Sequence, residues 1–246
     1  MLTSGGAVAA AAVGSASALA GLDWMTLLLG FFVSSVLLGR VGRAEKQRRS
    51  ESIIEKAGAR DAAQVLANGA VFGTVALFAA RGGTAWPLAT VGLGALAAAP
   101  ADTWGTEIGM LSRGAPRSIL TAAPLEPGMS GGVSVLGLVA TVGGAASIAV
   151  LAAALRWPAA VAMAAAAGGV VGALADSVLG ASLQQRRRSQ RTGRVTERLT
   201  DGDGTPTVHA GGLDWLTNDG VNFAATLIGG GTAWQIHAAL ERAGRG

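Results

Sequence analysis

Long apolar runs alternate with short charged stretches along almost the whole chain, a rhythm much slower than that of an amphipathic helix or strand. A helix needs about 20 mostly apolar residues to cross the ~30 Å hydrocarbon core of a bilayer. Seven runs meet or approach that length, at residues 3–20, 22–40, 62–80, 84–103, 129–154, 158–181 and 214–236. The pattern predicts an all-α polytopic membrane bundle of about seven transmembrane helices, a single domain over residues 1–246. The first run, rich in Gly, Ala and Ser, is the weakest and resembles a secretory signal. No Lys or Arg precedes it and another apolar run follows at once, so it reads as a membrane helix.

Composition supports the bilayer as solvent: 50% of the 246 residues are hydrophobic, and only 14% are charged, against about 25% in soluble domains. Cys is absent, which excludes disulfides and thiolate metal sites. The two histidines, His209 and His237, are too few and too far apart for a zinc site.

Charge predicts the orientation. With the N-terminus in the cytosol, the cytosolic connections are 40–61, 104–128 and 182–213, the last a basic loop expected to be partly disordered. They hold Arg40, Arg43, Lys46, Arg48, Arg49, Lys56, Arg60, Arg113, Arg117, Arg186, Arg187, Arg188, Arg191, Arg194 and Arg198, fifteen of the 19 basic residues. This is the positive-inside bias of a prokaryotic-type inner or plasma membrane protein. The net charge of +4 therefore reports topology, and no aromatic-interleaved basic surface suggests a nucleic-acid partner. Trp24, Trp86, Trp104, Trp157, Trp215 and Trp234 all fall near predicted helix ends, where indole favours the headgroup layer.

Polar side chains inside such helices are costly, so their positions are informative. Five clusters stand out, all at the predicted cytosolic side. In "ARDAAQVLANG", Arg60, Gln64 and Asn68 step by four, with Asp61 beside them. Asp61 reads either as a helix cap or as part of a site, whereas Gln64 and Asn68 lie deeper and need a partner. In "LAAAPADTWGTEIGML", Asp102, Thr103 and Glu107 end an apolar run. A five-residue spacing separates the two carboxylates by about 140° on an unbroken helix, so they converge only if the helix loosens near Gly105. Carboxylates at a helix C-terminus oppose the dipole, and a bound cation such as Mg²⁺ reverses that penalty.

"EPGMSGGVSVLG" places Gly128, Ser130, Gly131, Gly132 and Ser134 at a helix start, where backbone N–H groups attract phosphate. The GxxxxGK[ST] pattern is missing, so any nucleotide site uses another scaffold. In "GGVVGALADSVLGASLQ", Gly168, Gly172, Asp176, Gly180 and Gln184 follow at intervals of four, with Ser177 adjacent. The glycines suit close helix packing; an unpaired Asp176 in that groove does not. In "LDWLTNDGVNFAA", Asn218, Asp219 and Asn222 share a face, with a capping role open for Asp219.

These same segments, "RDAAQVLANG", "ADTWGTEIG", "PGMSGGVSVLG", "ADSVLGASLQ" and "NDGVNF", resemble in order the motifs of an integral-membrane family. That family contains plant phytyl-phosphate kinase, animal transmembrane protein 19 and prokaryotic members grouped as domain of unknown function 92. The resemblance covers residues 20–236 and implies conversion of an isoprenyl monophosphate to the diphosphate with a nucleoside triphosphate, CTP or another. It carries the acidic motif onto Asp102, Thr103 and Glu107, the glycine turn onto Gly128 to Ser134, and the later motifs onto Asp176, Ser177, Asn218, Asp219 and Asn222. Met129 stands where a hydroxyl or amide residue is expected, so only the backbone carries over there.

The expected mechanism is phosphoryl transfer, with Asp102, Glu107 and Asp176 as Mg²⁺ ligands and Asp219 completing the catalytic set. Arg60 and the turn N–H groups would meet the acceptor phosphate, beside a shell of Asp61, Gln64, Asn68, Gln184, Asn218 and Asn222. Arg186 to Arg188 are placed to attract anionic lipid or nucleotide, with solvated positive-inside charge the expected role for most of them. The rivals are a CTP-dependent lipid cytidylyltransferase and a lipid-phosphate or ion transporter; one-sided clustering and the lack of an internal repeat speak against the transporter.

Overall fold

A computed structural model describes residues 2–50 and 59–244, and for residues 47–50 the backbone alone. Lys56, Arg245 and the side chains of Arg48 and Arg49 lie outside the described residues. The helices are α1 (Ser4–Ala20), α2 (Leu22–Arg40), α3 (Arg43–Ser50), α4 (Ala62–Gly82), α5 (Trp86–Gly109), α6 (Val135–Ala154), α7 (Ala159–Ser182) and α8 (Asn218–Ala243). All but the short α3 coincide with the apolar runs. Four, α2, α4, α6 and α7, are long and apolar enough to cross a membrane. Their outer faces expose large hydrophobic side chains, Leu22 and Val33 on α2, Val139 and Val150 on α6 and Met163 on α7 among them.

α5 fails that test for a physical reason. Every residue from Gly92 to Ala101 is buried, because α2, α4, α6, α7 and α8 all pack against α5. A helix wrapped by protein needs small residues more than lipophilic ones. The glycine stripe of α7 is part of this packing. A Cβ on Gly168 would lie 2.8 Å from the Ala233 nitrogen of α8, and one on Gly172 would lie 2.8 Å from Ala98 Cβ of α5.

The helices alternate in direction, which brings the starts of α1, α4, α6 and α8 to the same end as the finishes of α2, α5 and α7. Arg60 shows the closure at that end, its carbonyl accepting the Thr3 N–H at 3.0 Å. The opposite end is filled by aromatic rings. Trp24 has no exposed surface and packs on Phe72 at 5.3 Å and Trp157 at 5.1 Å, and Trp157 meets Trp86 at 5.4 Å. Trp24 and the almost fully buried Trp157 are therefore core residues, not the headgroup anchors expected from their place near helix ends. The tight junctions at Gly21 and Pro158 turn both rings inward between helices, and Trp157 Nε1 donates to Asp23 Oδ2 at 2.7 Å.

The loops hold short strands. β1 (Arg117–Ser118) pairs antiparallel with β2 (Gly132–Val133). β3 (Arg186–Arg188), β4 (Val195–Thr196) and β5 (Val208–Gly211) form an antiparallel sheet in the order β4-β3-β5. The 182–213 loop is thus folded, a correction to the expected partial disorder. Its arginines explain much of this: Arg187 donates from Nε to Thr207 Oγ1 at 2.7 Å and from Nη2 to the Thr207 carbonyl at 2.5 Å. Arg188 donates to the Gly193 carbonyl at 3.0 Å and Arg186 to that of Ala181. Arg187 ties the sheet and Arg186 the end of α7, where solvated charge was expected, while Arg188 stays exposed.

Candidate functional site

The polar segments converge on one cavity of about 500 Å³ at the end where α4, α6 and α8 begin and α5 and α7 finish. Arg60, just before α4, and Gln64 and Asn68 within it belong to its wall. Asp61 is not part of the lining. It is the N-cap of α4, its carboxylate accepting the Gln64 N–H at 3.0 Å while Gln64 Oε1 accepts the Asp61 N–H at 3.2 Å. This reciprocal capping box satisfies two otherwise orphaned donors, so Asp61 is structural and Gln64 is partly committed. Asn68 donates to the Gln64 carbonyl at 3.1 Å. Among the described residues Arg60 has no carboxylate partner, leaving a guanidinium at the cavity wall.

α5 contributes Asp102, Thr103 and Glu107, but not by the expected break. The helix runs unbroken to Gly109, because Gly105 lies against α6, where a Cβ would collide with Thr141 Oγ1. Asp102 and Glu107 consequently diverge by about 140° around the axis. Glu107 pairs with Lys46, a buried residue of α3 whose Nζ also donates to the Leu38 carbonyl at 2.8 Å. Its charge is balanced by protein.

The glycine turn packs on the end of α7. Gly128 and Gly131 have φ of +95° and +81°, and a Cβ on Gly131 would stand 2.7 Å from Ala181 Cα, so only glycine fits there. Gly128, Ser130, Gly131, Gly132 and Ser134 all line the cavity. Ser134 is also the N-cap of α6, accepting the Gly137 N–H at 3.1 Å. From α7 come Asp176 and Ser177, with the buried Gln184 just beyond its end. Asn218, Asp219 and Asn222 complete the wall in the first turns of α8, where the N-cap position belongs to Thr217.

The expected three-carboxylate cation set is not assembled: among the described residues no three His, Asp or Glu side chains group as a metal cluster. The unbroken α5 and the Lys46 pair account for Glu107. Asp102 and Asp176 remain, within electrostatic range of each other. Asp176 Oδ2 is buried and has no hydrogen-bond partner among the described residues. An orphaned carboxylate oxygen beside a second acid fits a divalent cation, and Mg²⁺ accepts one or two carboxylates when phosphate oxygens and waters supply the rest.

Two site-facing interactions lie beyond sequence reasoning. One is Lys46 with Glu107. The other is Glu197, just after β4, which lines the cavity and accepts both the Ser130 N–H at 3.3 Å and the Ser130 hydroxyl at 2.5 Å. Neither residue sits in a periodic or glycine-rich segment, so no local signal marks it. Apolar walls are supplied by Phe31, Leu138 and Leu174.

Residues 1–230 match the family described as Integral membrane protein DUF92. The chain belongs to this family. The match takes in every polar segment that reaches the cavity and ends within α8, beyond Asn222. Uncharacterized membrane protein MJ0933 of Methanocaldococcus jannaschii is 31% identical over 213 residues, covering 85% of this chain and 74% of that protein. Protein PGR of Arabidopsis thaliana is 31% identical over 237 residues, covering 85% of this chain and 80% of its own length. No solved structure matches. The DUF92 match and the four long apolar helices together make this an integral membrane protein of helical architecture.

Proposed function

We propose that this DUF92 protein is a lipid-phosphate kinase, transferring a phosphoryl group from CTP or another nucleoside triphosphate to an isoprenyl monophosphate. In this reading seven helices cross the membrane, with the N-terminus and the cavity on the cytosolic side. The observation that carries it is the meeting, in one cavity, of Asp102 and Asp176 with the Gly128–Gly132 turn and Arg60, which has no carboxylate partner among the described residues. Acidic groups for a cation, basic and N–H groups for phosphate, and an apolar wall of Phe31, Leu138 and Leu174 are the needs of a phosphorylated lipid meeting a nucleotide. The resemblance of the five motifs to those of phytyl-phosphate kinase supports the same reading.

The acceptor is already an anion, so the chain need supply no strong base; its work is alignment and charge. Arg60, just before α4, would bind the acceptor phosphate together with the Gly131 N–H, since the N–H groups of Met129, Ser130 and Gly132 already donate to Glu126, Glu197 and Met129. Asp102 and Asp176 would hold Mg²⁺, which when bound neutralises charge on the transferring phosphoryl group. Asn218, Asp219 and Asn222 would orient the remaining polar atoms from α8. The small-residue helices exclude water from below the site.

The test incubates purified protein with Mg²⁺, a panel of nucleoside triphosphates and isoprenyl monophosphates of several lengths. Diphosphate carrying the nucleotide's γ-phosphate supports the reading, whereas appearance of the α-phosphate in the lipid replaces it with cytidylyl transfer. Asp102→Asn and Asp176→Asn are each expected to cost about 100-fold or more in turnover with helicity unchanged; wild-type rates overturn the cation role.

A further inference from the structure

The cavity lining does not stop inside the bundle. On α6 both Thr141 and Leu138 line the cavity, and a step of about 60° around the helix leads from the buried Thr141 to Leu138, which is 39% exposed. About 40° further in the same sense lies Val142, on the exposed apolar face. α7 repeats the arrangement. Ser177 and Leu174 line the cavity, again about 60° apart, and Val178, about 40° beyond Leu174, is 39% exposed. Because α6 and α7 run in opposite directions, these two rotations have opposite hands and meet at the seam between the helices.

Deeper in the bundle that seam is shut. Ala145, on the same stripe of α6 as Leu138, has no exposed surface and clusters with Ala173 of α7 and Ala101 of α5. At the cavity end the seam is roofed by the glycine turn, where a Cβ on Gly131 would stand 2.7 Å from Ala181 Cα. Between roof and floor, Leu138 and Leu174 border a window about 10 Å high, from the rise of about 1.5 Å per residue between positions 138 and 145. Its edges are apolar and it opens on faces turned to lipid, whereas the cavity behind it holds Arg60, Asp102 and Asp176. This is the order of groups in an amphiphile with a phosphate head and an aliphatic tail. A water-soluble phosphate would gain nothing from an apolar opening on the lipid face.

We infer that the window between α6 and α7 is a lateral port, through which the aliphatic chain of a lipid phosphate extends from the cavity into the bilayer while its head stays with Arg60. This rests on the proposed lipid-phosphate reading and adds where the tail lies and how the lipid arrives, sideways from the leaflet. Only the part of the chain nearest the phosphate touches the cavity wall; the remainder lies among membrane lipids.

The experiment places the full-length protein in nanodiscs, without nucleotide, and adds geranylgeranyl monophosphate carrying a photoreactive diazirine on its third isoprene unit. Labelled peptides are located by mass spectrometry. Label is expected on α6 and α7 around Val142 and Val178, and is expected to fall about tenfold in Leu138→Trp, whose indole fills the window. Val150→Trp puts the same ring on the exposed face of α6 below the closed part of the seam, and should leave labelling unchanged. Dimethylallyl monophosphate with a diazirine on its single unit is too short to need the window, and should still label the cavity wall of Leu138→Trp. Label from the long probe confined to α4 or α8 overturns the inference, as does full labelling of Leu138→Trp or an equal loss in Val150→Trp. Equal loss of both probes in Leu138→Trp overturns it too, by tracing the effect to a damaged cavity, and so does the absence of specific labelling by either probe. The kinase reading is judged separately: diphosphate product with label outside the seam keeps the kinase and removes the port, and label in the seam with no product from any nucleoside triphosphate keeps the port and removes the kinase.

Discussion

Lys46 and Glu107, 61 positions apart, meet as an ion pair that fastens the short helix α3 to the end of α5. The lysine side chain is 6% exposed and the glutamate 25%, so neither charge is fully hydrated. Removing the lysine takes away the cation that balances Glu107. Lys46→Met is expected to destabilise the protein by about 3 kcal/mol, and Lys46→Met with Glu107→Leu to recover most of that loss. Thermal unfolding in detergent distinguishes the two; equal destabilisation would show that the pair itself, not the stranded carboxylate, carries the energy.

At the opposite end, Trp157 and Asp23 are joined by a 2.7 Å hydrogen bond beside the packed rings of Trp24 and Trp86. Trp157→Phe keeps an aromatic ring but removes the donor. The expected cost is about 1–3 kcal/mol, with Asp23→Leu partly suppressing it by removing the acceptor left without a partner. Chemical denaturation of the single and double variants provides the comparison.

Two glycines share a left-handed backbone but not their surroundings. Gly131 has φ +81° and is pressed against Ala181, while Gly193 has φ +69° and nothing within 4 Å of where a Cβ would stand. Gly193→Ala should cost about 1 kcal/mol, the conformational penalty alone. Gly131→Ala must also push the turn off α7, and is expected to cost roughly 2 kcal/mol or more, read by thermal unfolding in detergent. Similar effects at the two positions would mean that the contact with Ala181 is unimportant.

On the proposed chemistry Arg60 meets the acceptor phosphate. Arg60→Ala should raise the KM for isoprenyl monophosphate by about tenfold or more, and Arg60→Lys by less, since lysine keeps the charge and loses the planar fork. Steady-state kinetics with varied lipid at saturating nucleotide separates this from a nucleotide role, which would move the other KM.

Much of the fold is legible because it is written in the slowest rhythm of the sequence. Apolar runs long enough to span a bilayer fixed all seven long helices, and their alternating direction was enough to gather Arg60, Asp102, Asp176 and Asn222 at one end. What stayed hidden depends on tertiary contact. Gly105 looks like a break, yet the helix continues through it and the glycine makes room for Thr141 of α6. Asp61 reads as site or cap, and Gln64 as a deeper amide in need of a partner, until their reciprocal bonds are seen. Lys46 and Glu197 belong to segments whose composition says only "polar loop", and the docking that delivers them leaves no periodic trace.

The rings of Trp24, Trp86 and Trp157 pack between helices at the end of the bundle opposite the cavity, and none of them belongs to its lining. On the proposed chemistry, substrate and product would then share one doorway.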